Sequence, residues 1–79
     1  MDDKELELIS SHKLCQSICN KSLDMGYILN RTMEEVLPPI RKLPIKKQIE
    51  YQNILTDIVE TSQTEDEIIQ RAKEAYNNL

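Results

Sequence analysis

The chain has 79 residues, room for one domain with a small core, and that core must be aliphatic, because there is no Trp or Phe and there are only three Tyr against ten Ile. A net charge of −4 at pH 7 denies it the broad basic footprint of a nucleic-acid binder, a single Gly leaves no glycine-rich phosphate loop, and two Cys do not make a disulfide framework. The acidic start Met1-Asp2-Asp3-Lys4-Glu5 has the wrong sign for a secretory leader and no apolar stretch approaches membrane-spanning length, so the expected setting is the reducing cytoplasm.

Residues 3–25 are predicted to form a first helix. Leu8, Ser11, Cys15, Ile18, Ser22 and Met25 recur at the three-four spacing of one helix face, with His12 and Cys19 beside that seam. Gly26 is the natural stop, since Gly takes the left-handed conformation at little steric cost. Two serines in the seam argue against a long coiled coil, but the seam allows the first helix to pair with its copy in a homodimer. A short second helix is predicted over 29–37, with Leu29, Met33, Val36 and Leu37 on one face. Asn30 or Thr32 is its expected cap, and Thr32-x-x-Glu35 fits a capping box. Pro38-Pro39 is expected to end it, leaving 40–43 as linker.

Pro44 suits the first turn of a third helix, 44–61, whose stripe is Ile45, Ile49, Tyr51, Leu55, Ile58 and Val59 with Ile54 flanking. Thr61-Ser62-Gln63-Thr64 reads as a polar turn. Thr64 followed by Glu65-Asp66-Glu67 is a capping box with three acids at the positive end of the helix dipole. A fourth helix, 65–77, then carries Ile68, Ile69, Ala72, Ala75 and Tyr76 on one face. The fold class is all-α: a single helical domain over 1–79, built as a compact bundle or an orthogonal array of about four short helices.

His12, Cys15 and Cys19 stand at i, i+3 and i+7, roughly one helix face, and imidazole and thiolate are zinc ligands. A structural zinc site takes four, and the sequence has no other His or Cys. The better reading makes the cysteines buried core residues, with no metal or other cofactor expected. His12 and Cys15 as a nucleophilic pair lack an orienting group and an oxyanion hole. The carboxylates Glu34-Glu35 and Glu65-Asp66-Glu67 sit where helix starts favour negative charge rather than opposed across a cleft. No catalytic residue is expected. A helix-turn-helix centred on Gly26 would present Glu34 and Glu35 to phosphates with only Arg31 to attract them, so nucleic acid is not the expected partner.

Charge is unevenly placed: −3 over residues 1–35, +4 over 40–47 and −5 over 50–79. The knot Arg41-Lys42-Leu43-Pro44-Ile45-Lys46-Lys47 is basic and interleaved with apolar residues at a helix junction. Arg41, Lys42, Ile45, Lys46, Lys47 and Tyr51 form the expected partner-binding surface, facing an acidic protein or lipid headgroups beside a membrane-associated protein. The competing reading is a solvated linker that offsets the acidic helices on either side.

The run Leu37-Pro38-Pro39-Ile40-Arg41-Lys42-Leu43-Pro44 resembles the start of a BESS motif, a short two-helix protein-interaction element of insect chromatin and transcription regulators. The resemblance continues through Lys47, Ile49, Leu55, Ile58 and Glu60 and covers residues 34–60. It implies protein–protein contacts made by helices 29–37 and 45–61, without catalysis. The MADF-like region that often accompanies the motif has no counterpart in this chain. The expected function is that of a non-enzymatic intracellular regulator that binds and inhibits or modulates a partner protein, as phage lysis-timing antiholins and host-protein inhibitors do. A bacteriocin immunity protein, also small, intracellular and four-helical but typically basic, is the alternative, and a BESS-like interaction module is the other.

Overall fold

The computed structural model describes residues 2–79. Four helices carry the chain: α1 (Asp3–Met25), α2 (Asn30–Ile40), α3 (Ile45–Thr61) and α4 (Glu65–Asn77), with no strand among the described residues. The fold is all-α, as the periodicity predicts.

α1 starts where the Asp2 carboxylate accepts the Glu5 N–H at 2.9 Å. It stops at Gly26, whose φ of 74° is left-handed. Gly26 N–H donates to the Leu23 carbonyl at 3.3 Å and Tyr27 N–H to that of Ser22 at 3.2 Å, the paired closure of a Schellman motif. The Ser22 hydroxyl donates to the Ile18 carbonyl at 2.9 Å and accepts the Leu29 N–H at 3.3 Å, fixing how the chain enters α2.

α2 departs from expectation at both ends. It runs through Pro38 and Pro39 to Ile40, because proline's fixed φ is helical and its missing N–H orphans only the carbonyls of Glu34 and Glu35. The chain then tightens, with Arg41, Lys42 and Leu43 N–H groups donating to the carbonyls of Pro38, Pro39 and Ile40 at 3.3, 3.2 and 3.0 Å. At the other end Leu29 takes the cap position with no side-chain hydrogen bond, and no acid stands in the first turn. Neither Asn30 nor Thr32 caps the helix. Thr32 lies inside it, 1 % exposed, and its Oγ1 has no hydrogen-bond partner.

α3 follows Pro44, and α4 opens as expected: Thr64 Oγ1 accepts the Glu67 N–H at 3.1 Å. Glu67 returns a bond to the Gln63 N–H at 3.0 Å, one residue before the usual position of a capping box.

Hydrogen bonds between helices give the topology. Ser10 Oγ donates to Asn53 Oδ1 at 3.2 Å and Ser17 Oγ to Glu60 Oε1 at 3.0 Å. Both pairs share one sequence offset, so α1 and α3 lie parallel and in register. Ser11 Oγ adds a bond to Gln52 Oε1 at 2.8 Å. α2 and α4 also run in one direction, tied by Arg31 to Asp66 and by Lys73 to Glu35 at 3.6 Å. α3 is the central helix. α1 packs on α3 alone, whereas α2 and α4 pack against each other and against α3.

The core is Leu14, Ile18, Leu29, Val36, Ile40, Tyr51, Leu55, Ile58, Val59, Ile68, Ile69 and Ala72. Tyr51 sits at its centre. Its hydroxyl donates to the Ala72 carbonyl at 3.0 Å, its ring meets Tyr76 edge-on with centroids 5.5 Å apart, and burial, then the neighbouring Tyr76, push its pKa up to about 12.

The α1 seam is rotated from the one expected. The buried residues of α1 are Ser10, Leu14, Ser17 and Ile18, while Leu8 is 73 % exposed and Cys15 and Cys19 are both exposed. Serine is small enough to let α1 approach α3, and the hydroxyls find Asn53, Gln52 and Glu60. The same register sets Thr61, the last residue of α3, level with Ile18. Residues 19–25, nearly two turns of α1, therefore run past the end of α3.

Candidate functional site: an uncovered apolar face at the α1–α2 junction

This overhang shapes the surface. Leu23 is 81 % exposed and Ile28 73 %, with Tyr27 and Met33 also exposed. Together they border an open groove of about 680 Å³ whose floor is Ile18 and Leu29 and whose walls are Cys19, Ser22, Leu23, Gly26, Tyr27, Ile28, Asn30 and Met33. Among the described residues no carboxylate, ammonium or guanidinium lines it. Tyr27 helps to fix the wall: its hydroxyl accepts the Glu65 N–H at 3.3 Å, which holds the link against the start of α4. Nearer the start of α1, Cys15 and Leu8 are also exposed, with His12 between them. An exposed apolar groove of this kind marks an interaction site more often than a free surface.

Periodicity did not reveal this site, yet two signals for it were present. α1 carries more apolar positions than one face can hold, Leu8, Cys15 and Cys19 on one side and Leu14 and Ile18 on the other. Tyr27 and Ile28 directly follow the Gly26 stop, where only one of two neighbouring bulky residues can turn inward before Leu29.

The basic knot is placed at the opposite end of α2. Arg41, Lys42, Lys46 and Lys47 are exposed. Lys47 reaches Glu50 at 3.5 Å, and among the described residues no carboxylate lies within ion-pair distance of Arg41, Lys42 or Lys46. Gln48 Nε2 donates to the Leu43 carbonyl at 2.7 Å and stiffens the turn. Two of the expected surface residues do not belong with them. Tyr51 is 1 % exposed, because its ring is the largest available filler for the aliphatic core and its hydroxyl is satisfied internally. Ile45 is half-buried.

His12, Cys15 and Cys19 share the outer face of α1, and the expectation that the cysteines are buried is overturned, since that face is turned away from α3. Among the described residues no group of three His, Cys, Asp or Glu is close enough to hold a metal ion. Arg31 bonds Glu35 at 3.0 Å and also Asp66. Its hydrogen bond holds the Glu35 carboxyl below the usual range, and the two carboxylates raise the Arg31 pKa. All three groups are on the surface, where they clamp α2 to α4 rather than face a cleft. Among the described residues no helix is long and apolar enough to cross a membrane. No protein-family model matches the chain, no curated protein matches its sequence, and no solved structure matches its fold.

Proposed function

We propose that the chain is a non-catalytic regulator that acts by docking on another protein through the apolar face at the α1–α2 junction. The observation that carries this reading is the groove bordered by Leu23, Tyr27, Ile28 and Met33, which leaves large apolar side chains in water on a domain with few to spare for its own core. Docking would remove them from water, worth roughly 25 cal/mol for each Å² of apolar surface covered.

Affinity capture with three forms of the chain tests it: wild type, Leu23→Asp/Ile28→Asp, and Lys46→Glu/Lys47→Glu. A stoichiometric protein retained by wild type and by the lysine variant, but lost with the leucine–isoleucine variant, is the expected result. Capture that ignores Leu23 and Ile28 refutes the reading. The identity of the captured protein then separates a lysis-timing regulator, an immunity protein and a chromatin-type interaction module. A second reading, contact with an acidic surface through the 41–47 turn, is favoured by the exposed Arg41, Lys42 and Lys46, which have no ion-pair partner among the described residues. In that case the lysine variant is the one that loses its partner.

A further inference from the structure

We infer that the outer face of α1 seats a second copy of this chain, with the two α1 helices antiparallel. This rests on the reading of that face as a docking surface: the second copy covers it until the partner protein displaces it.

Charge is the first argument. The sequence carries 14 acids in 79 residues, yet none falls between Leu8 and Leu23. Of the bases in that stretch, Lys21 points away from the line formed by Leu8, His12, Cys15, Cys19 and Leu23, which lies on the side of α1 opposite α3, and Lys13 flanks that line beside Leu8 and His12. A solvated face would be expected to carry charge, as the rest of the surface does.

Self-complementarity is the second. A two-fold interface requires one surface to match itself. The line reads alike in both directions about a point between residues 15 and 16: Leu8 meets Leu23 of the second copy, His12 meets Cys19, and the small Cys15 lies beside the axis where the helices approach most closely. Leu8 then enters the groove of the other copy.

Electrostatics choose the direction. Residues 2–7 hold Asp2, Asp3, Glu5 and Glu7 against one base, Lys4, and a parallel pair would bring two such segments together. The antiparallel register instead sets Glu5 opposite Gly26, beside the start of α2. That helix start has no side-chain cap and no acid of its own in its first turn, so the incoming carboxylate meets the positive end of its dipole.

The area suffices. A specific dimer takes about 600–1,000 Å² from each partner, against 5256 Å² for the whole protomer. A helix of 23 residues is about 34 Å long and about 11 Å wide, so its outer half-surface alone is roughly 600 Å², and Tyr27, Ile28 and Met33 extend it.

Sedimentation equilibrium and disulfide trapping test this together. Wild type is expected at twice the 9.2 kDa chain mass at about 10–100 μM under reducing conditions, in the concentration range of ordinary association. Leu8→Asp/Leu23→Asp is expected at the chain mass with unchanged helical circular dichroism. In the antiparallel register Cys15 is offset from its own copy by one residue, about 1.5 Å along the axis, and Cys19 by seven, about 10 Å. Bridging needs Cα atoms within about 7 Å. Copper–phenanthroline oxidation therefore links the chains in Cys19→Ser and leaves them unlinked in Cys15→Ser, with no need for a destabilising substitution. A monomeric wild type at 100 μM overturns the inference, as does a dimer indifferent to Leu8 and Leu23. Equal linking through Cys15 and Cys19 overturns the direction. A monomer that still loses a captured protein on Leu23→Asp/Ile28→Asp removes the dimer and leaves the proposed function standing.

Discussion

Thr32 offers the sharpest test of the packing. Its hydroxyl is buried in α2 with no hydrogen-bond partner, and the residue is 1 % exposed. Burying an unpaired hydroxyl costs about 1–3 kcal/mol. Thr32→Val replaces that hydroxyl with a methyl of similar size and keeps the β-branch, and Val and Thr have nearly equal helix propensities. The substitution is expected to stabilise the fold by about 1 kcal/mol, the lower end of the range because the added methyl must fit a filled site. For a domain of this length that corresponds to a rise in melting temperature of about 4–8 °C. Two companion variants separate the terms. Thr32→Ser keeps the hydroxyl and loses a buried methyl, so it is expected to destabilise by about 0.8 kcal/mol. Thr32→Ala loses both groups and should fall between the other two. Thermal and urea denaturation followed by far-ultraviolet circular dichroism measure all three, with an unchanged urea slope showing that the unfolded state is not the cause. A Thr32→Val protein less stable than wild type would refute the reasoning.

Other variants probe the helix ends and the core tyrosine. Gly26→Ala is expected to lose about 1–2 kcal/mol, the cost of a left-handed conformation for a residue with Cβ. A Cβ there would meet no atom within 4 Å, so the loss is backbone strain alone and Gly26→Asn should recover part of it in the same denaturation assay. Thr64→Ala removes the α4 cap and should lower stability by about 1 kcal/mol, whereas Asn30→Ala should change it far less, because Asn30 caps nothing. Tyr51→Phe deletes the bond to the Ala72 carbonyl and is expected to lose about 1 kcal/mol at pH 7. It also changes the alkaline response. Tyr51 has a folded pKa of about 12 against about 10 for a free tyrosine, so its neutral form is the one the fold favours. That contribution is whole below pH 10 and is lost as pH rises toward 12. The urea midpoint of wild type should therefore fall more between pH 9 and pH 11 than that of Tyr51→Phe, and equal falls would refute the assignment.

Where a helix end is marked by a local chemical signal, the sequence is enough to place it. Gly26 stops α1 because the turn needs a positive φ, and Thr64 with Glu67 starts α4 because their side chains reach the nearest orphan N–H groups. Both devices act within five residues, and pattern reasoning finds them. α2 shows the limit of the same logic. Pro38-Pro39 looks like a terminator, but at the last turn of a helix proline removes little that matters, and Ile40 is drawn into the core beside Val36. Burial decided that end, and burial depends on residues far along the chain. Thr32 fails for the same reason: Thr32-x-x-Glu35 has the spacing of a capping box, yet its side chain lies on the face that α2 must turn inward.

The candidate site was hidden by a choice between two faces of one helix. On α1 the line through Leu8, Cys15 and Cys19 is at least as apolar as the line through Ser10, Leu14 and Ser17, so hydropathy alone would bury the former. α3 settles the matter through Gln52, Asn53 and Glu60, which offer acceptors that only the serine side of α1 can use. A buried serine is tolerable when its hydroxyl is bonded, and three such bonds fix the register of the two helices as well as their facing. Once the serine side is committed to α3, the other line has no place in the core, and the overhang beyond Thr61 adds Leu23, Tyr27 and Ile28 to it. The seam expected along α1 is thus split, with Ile18 turned into the core and Ser11 toward α3 while Leu8 and Cys15 face outward. A face of that composition kept free of acids over sixteen residues is what an interface needs and what a solvent-facing helix does not.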